Sequence, residues 1–119
     1  MTRESLNFQR HRRLRQTDSI RKLVSENKLH TDDLIYPLFI VEGEGIKREV
    51  PSMPDVYHLS LDQLQAEMDE ITSLGIRAIM LFGVPDHKDD VGSEAYSEKG
   101  IVQRAISQVK KTHPELTVI

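Results

Sequence analysis

Two apolar runs of strand length, residues 34–41 (LIYPLFIV) and 76–82 (IRAIMLF), constrain this chain most strongly. Both are rich in β-branched and aromatic side chains, and neither shows the polar–apolar alternation of a half-solvated strand. Each therefore reads as a strand covered on both faces, the kind found in parallel sheets. Between them, Leu61, Leu64, Met68, Ile71 and Leu74 recur at spacings of three and four, which predicts an amphipathic helix. Ser60 followed by Gln63 matches a capping box at its start, and Gly75 stands where a helix is closed. A strand, a helix and a second strand in this order form a βαβ unit, with a right-handed crossover.

The pattern then repeats. After a polar loop over residues 84–100, Ile101, Val102, Ala105, Ile106 and Val109 predict a second amphipathic helix, stopped near His113 and Pro114. Residues 116–119 (LTVI) read as a third strand. Pro37 lacks a ladder donor and predicts an interrupted or edge position along part of the first strand. Residues 42–54 are turn-rich, with a small hairpin expected over 46–50. The strand starts lie 42 and 40 residues apart. At about 40 residues per unit, eight units would need roughly 320, within the range of (β/α)₈ barrels. The first strand-to-helix turn carries no G-x-G-x-x-G, which lowers a dinucleotide-binding reading. The expectation is α/β: a partial (β/α)₈ TIM barrel of about two and a half βα units behind an N-terminal arm. Both outer strands of such a piece would be edges, so the sequence reads as cut from a longer polypeptide.

The arm is set apart by charge. Residues 1–22 hold seven Lys or Arg against Glu4 and Asp18, a local +5, while the whole chain carries −3; the remaining residues therefore sum to −8. Residues 1–30 are expected as a basic arm with a short helix, capped by Thr17 or Asp18 and running to about Glu26, and 31–119 as the barrel portion. No apolar run approaches the ~18 residues that span a bilayer, so no membrane partner is expected. With no Cys, a disulfide framework and thiolate metal ligation are excluded within these 119 residues.

Five segments together resemble the porphobilinogen synthase (δ-aminolevulinic acid dehydratase) family. They are RHRRLR in the arm, DDLIYPLFIVEGEG at the first strand, VPSMPDVYHLSLDQL leading into the first helix, GIRAIMLFGVP at the second strand, and GSEAYSEKGIVQRAI leading into the second helix. The resemblance implies a cytoplasmic lyase of tetrapyrrole and haem biosynthesis, a TIM barrel that condenses two 5-aminolevulinate molecules to porphobilinogen. It also implies zinc or magnesium in the full-length enzyme and a homo-oligomer, typically an octamer, in which the arm embraces a neighbouring barrel. The family's Schiff-base lysines, metal ligands and carboxylate contacts fall, by the same resemblance, beyond the third strand. The chain matches the first third of the family, so no catalytic residue, metal ligand or cofactor is expected within it, and it is expected to be inactive alone.

Among individual residues, Phe82 ends the second strand where side chains reach a barrel mouth. The resemblance makes it a substrate-pocket wall, and a core aromatic is the alternative. Arg10, Arg12, Arg13 and Arg15 are expected to serve the oligomer arm. Clustered guanidinium groups also bind phosphates, which keeps open a stand-alone interaction module acting on nucleic acid or a partner subunit. The acidic remainder and a pI of about 5.9 argue against nucleic acid. A short form that caps the oligomer is a third possibility. Asp86, His87, Lys88, Asp89, Asp90 and Glu94 fit no recognised ligand spacing and read as a solvated loop. The scattered His11, His30, His58 and His113 read as isolated side chains, and the seven lysines as surface residues.

Overall fold

A computed structural model describes residues 11–119. After a 3₁₀ turn at Arg13–Arg15, helix α1 spans Asp18–Leu23. Thr17 caps it, accepting a hydrogen bond from the Ile20 N–H at 3.2 Å. The helix stops three residues before the expected Glu26, and Leu23 is 84% exposed, so Ile20, Leu23 and Val24, though at helical spacing, form no core face here.

Five strands follow in one sheet: β1 (Ile35–Val41), β2 (Lys47–Val50), β3 (Met53–Leu59), β4 (Ala78–Val84) and β5 (Thr117–Val118), in the order β2-β3-β1-β4-β5. Helices α2 (Leu64–Ser73), α3 (Ser93–Tyr96) and α4 (Ile101–Thr112) complete the chain. β1 pairs in parallel with β4 along its whole length, and β4 with β5, as the two βαβ units require. One expectation is corrected on the other side. The turn-rich segment holds β2 and leads into β3, which pairs antiparallel with β2 and in parallel with β1 at Phe39 and Ile40, so the hairpin expected over 46–50 extends to Leu59. β1 is therefore no free edge at its C-terminal end. Its ladder to β3 begins only at Phe39, two residues past Pro37, which has no N–H to offer.

The start of α2 also differs from expectation. Ser60 is fully buried, but its hydroxyl does not cap the helix. It accepts from the Ile46 N–H at 2.9 Å and donates to Asp62 Oδ1 at 2.5 Å. The turn before β2 competes for the hydroxyl and wins, so a 3₁₀ turn at Leu61–Gln63 leads into the helix instead of a capping box. The far end is as predicted. Gly75 takes φ +84°, its N–H donates to Thr72 O at 3.0 Å, and the Ile76 N–H donates to Ile71 O at 3.1 Å, the paired bonds of a Schellman close. Leu74, counted among the apolar face, is 62% exposed instead.

One face of the sheet carries the core. Leu38 and Ile40 of β1, Leu59 of β3, and Ile79 and Leu81 of β4 pack with Leu64, Met68 and Ile71 of α2 and Ile101, Ala105 and Val109 of α4. At Gly83, a Cβ would lie 2.6 Å from Val102 Cγ2 and 3.0 Å from Ile101 Cγ2, so the absent side chain lets α4 approach β4. Buried His113 joins the two helices, its Nε2 3.0 Å from Asp69 Oδ1. Residues alternate across a strand and paired residues share a face. Ile35 and Phe39 of β1, with Ala78, Met80 and Phe82 of β4, therefore lie on the opposite face, where no described helix packs. Ile35 is 50% exposed there.

Candidate functional site

The C-terminal ends of parallel strands are where a sheet of this kind offers side chains to a ligand, because the loops that follow can surround them. Phe82 occupies that position on β4. It is 44% exposed and stacks on its register partner Phe39, with ring centroids 5.4 Å apart and planes inclined by 20°. Phe39 in turn meets His58 of β3 edge to face, at 6.1 Å and 71°. His58 is also paired with Arg48 of β2. One register row thus crosses four strands on the uncovered face in the order Arg48, His58, Phe39, Phe82. Sequence reasoning found only Phe82. The local signal for His58 was the alternation Tyr57–His58–Leu59, which turns His58 away from buried Leu59 once the segment is known to be a strand.

On the other side of β4, the loop over residues 85–100 encloses a cleft of about 500 Å³ against the first turn of α4, lined by Pro85, His87, Lys88, Glu94 and Gln103 among others. The loop is held by Asp89, which accepts from the backbone N–H of Ser93 at 2.9 Å and from its hydroxyl. Those Ser93 contacts hold the Asp89 carboxyl below its ordinary range. Asp89 is therefore engaged as a turn-forming group. Among the described residues no group of three or more His, Cys, Asp or Glu is placed to hold a metal ion.

Beneath the sheet, the Tyr36 hydroxyl donates to Glu67 Oε1 at 2.8 Å, and Glu67 Oε2 lies 3.3 Å from Lys47 Nζ, which sits 5.2 Å from the Tyr57 ring centroid. Burial first, and Glu67 second, push the Tyr36 phenol up to about 12. This network ties the β2–β3 hairpin to α2 and β1, and so fixes the row above it.

The arm arginines fall elsewhere. Arg12, Arg13 and Arg15 are exposed in and beside the 3₁₀ turn, and Arg10 lies outside the described residues. Among the described residues, the ion pairs of this region belong to Arg21 and Lys22, both with Asp18. Arg15 contributes its carbonyl, which accepts from Arg21 at 3.1 Å. No described helix is long and apolar enough to cross a membrane.

Comparison with known proteins gives one consistent result. The chain is 69% identical over 116 residues to the δ-aminolevulinic acid dehydratase of Halalkalibacterium halodurans, covering 98% of this chain and 35% of that protein. It is 50% identical over 115 residues to the enzyme of the same name from Bacillus subtilis, covering 97% and 36%. Its fold matches a crystal structure of δ-aminolevulinic acid dehydratase (porphobilinogen synthase) from Toxoplasma gondii ME49 in complex with the reaction product porphobilinogen. That match has a TM-score of 0.86 and 38% sequence identity, and covers 95% of this chain and 33% of the other. The chain thus spans about a third of the length of the relatives it matches. With the family model for δ-aminolevulinic acid dehydratase matching residues 8–119, the chain belongs to that family.

Proposed function

We propose that this chain is the N-terminal portion of a cytoplasmic porphobilinogen synthase, comprising the arm and the first strands and helices of a (β/α)₈ barrel. The observation that carries the reading is the uncovered sheet face, with half-exposed Ile35 and Phe82 in strands whose opposite face is fully packed. In a closed barrel that face is the interior, filled by side chains from the other strands. Phe82, stacked on Phe39, forms part of the wall at the mouth, where it excludes water from the reacting centre. Arg10, Arg12, Arg13 and Arg15 belong to an arm that docks on a second subunit of a homo-octamer, its +5 charge meeting an acidic barrel.

The chemistry proposed for the whole protein is the condensation of two 5-aminolevulinate molecules with loss of water. This portion holds and shapes the site and supplies no reacting group. A Schiff-base lysine must be neutral near pH 7 and stand at a strand's C-terminal rim. The lysines here lie on α1, on β2, on α4 and in loops. The described residues do not fit a metal site either, as the carboxylates of residues 86–94 do not converge and Asp89 is already committed to Ser93. By the resemblance, the family's zinc or magnesium belongs to residues beyond the third strand. The test is porphobilinogen formation by the purified chain, alone and after refolding with the remaining two-thirds of the H. halodurans relative. The expected result is no product alone and measurable product from the mixture. Turnover by the chain alone would overturn the reading.

A further inference from the structure

We propose that Arg104 is a positioning residue that couples the loop over residues 85–100 to the C-terminal end of β1, so that two segments of the site's rim hold one arrangement. The coupling rests on the hydrogen bonds; its consequence for the reaction rests on the function proposed above. Arg104 stands in the first turn of α4, where its guanidinium serves two segments far apart in sequence. Its Nε–H donates to the Lys99 carbonyl at 3.0 Å, at the close of the loop, and its Nη2 donates to the carboxylate of Glu42, the residue directly after β1. Gln103 beside it reaches further back into the loop, its Nε2 donating to the Ala95 carbonyl at 2.8 Å. The fit is close at Gly100, where a Cβ would lie 2.7 Å from the Glu94 carbonyl oxygen and press on Gln103 Oε1.

The other rim contacts leave this link to Arg104. The segment after β1 is held from its far side by Ser60 and Asp62, and α4 is tied to the turn before α2 by Gln108, whose amide donates to the Leu61 carbonyl at 2.8 Å. Asp89 and Ser93 hold the loop to itself. Among the described residues, no other side-chain hydrogen bond or ion pair connects the loop and the first turn of α4 to the end of β1. The core does not depend on it. Ile101, Ala105 and Val109 fix α4 from its buried face, while the Arg104 and Glu42 side chains remain 41% and 33% exposed. An ion pair so placed adds little to global stability. Parallel strands present their functional side chains at this end, so a loosened loop here weakens ligand binding while the reacting groups, which lie elsewhere, keep their chemistry.

The test is hydrogen exchange in the 119-residue chain, read at the amides of Ala95 and Gly100, which donate to carbonyls within the loop, with the amides of Ile76 and Ile119 as distant controls. Glu42→Gln removes the charge at the end of β1 and alters no loop residue. It is expected to speed exchange at Ala95 and Gly100 by about threefold, and at the controls by less than about twofold. Arg104→Gln should do at least as much. Arg104→Lys, which keeps a cation for Glu42 but lacks the Nε–H for Lys99, should fall between. Salt at about 1 M should speed the loop amides of the unaltered chain and leave those of Glu42→Gln where they are, relative to the controls. Loop exchange in Glu42→Gln equal to that of the unaltered chain, or a rise shared by Ile76 and Ile119, would overturn the coupling. In the refolded mixture, Arg104→Gln is expected to raise KM by about threefold with kcat within about twofold, and a fall in kcat at unchanged KM would overturn the positioning role. A mixture that makes no product counts against the proposed function alone, because the exchange result is obtained without it.

Discussion

Replacing Ser60 by Ala tests the way the hairpin is fastened to the first βα unit. The buried hydroxyl accepts from the Ile46 N–H and donates to Asp62, which also takes the Gly45 N–H at 2.9 Å and the Gln63 amide at 2.8 Å. Its removal strands one partly buried N–H and deletes one charge-assisted bond. The stranded Ile46 N–H sets the magnitude, since a buried donor left without a partner costs about 1–3 kcal/mol. The loss depends on pH. Ser60 first, then Gln63 and Gly45, hold the exposed Asp62 carboxyl down at about 2, against 3.8 ordinarily. A carboxyl lowered by folding adds stability above its unfolded value, and that share disappears as pH falls through about 2. The gap between parent and Ser60→Ala in urea unfolding should therefore be widest at neutral pH and narrow between pH 4 and 2. A gap independent of pH, or below about 0.5 kcal/mol at pH 7, would refute this fastening. So would a Gln63→Ala variant as damaging as Ser60→Ala, because a capping box would make Gln63 its equal partner.

Three further outcomes are expected. Leu116→Ala, at a fully buried position in the core beside β5, should lower stability by about 2–5 kcal/mol in the same assay. Gly75→Ala should lower the thermal midpoint by an amount equivalent to about 1–2 kcal/mol, because φ is +84° and the new Cβ would stand 3.3 Å from Thr31 Oγ1. In an ultraviolet titration of phenolate, one of the three tyrosines should ionise near 12, and Tyr36→Phe should delete that step. The phenol is raised by folding, so its stabilising share is whole below pH 10 and disappears as pH climbs through about 12.

The elements legible in the sequence are those in which burial and local pattern agree. β1, β4 and their crossover helix α2 announce themselves by continuous apolar runs and three–four spacing, and α4 by its single stripe. β3 was hidden because the turn-rich stretch runs through Pro51 and Pro54 and only one face of the strand meets the core; Asp55, just past that stretch, takes φ +63°. Missing β3 also hid the site's geometry. Phe82 was recognisable from its place at the end of a strand, but its row with Phe39, His58 and Arg48 exists only through the register of three further strands, which residue spacing does not encode. The Ser60 motif misled because a local pattern cannot show that a distant N–H, here that of Ile46, reaches the hydroxyl first.

We propose that the sheet is built to continue past β5. On β5, the N–H groups of Thr117 and Ile119 donate to Arg77 and Ile79 of the adjoining chain segment, so strand alternation turns the Val118 N–H outward. Hydrogen exchange at the Val118 amide, with and without the remaining two-thirds of the H. halodurans relative, measures whether a neighbour arrives. Strong new protection at Val118 in the mixture is predicted; an exchange rate equal to that of the chain alone, in a mixture shown to associate, would contradict the account.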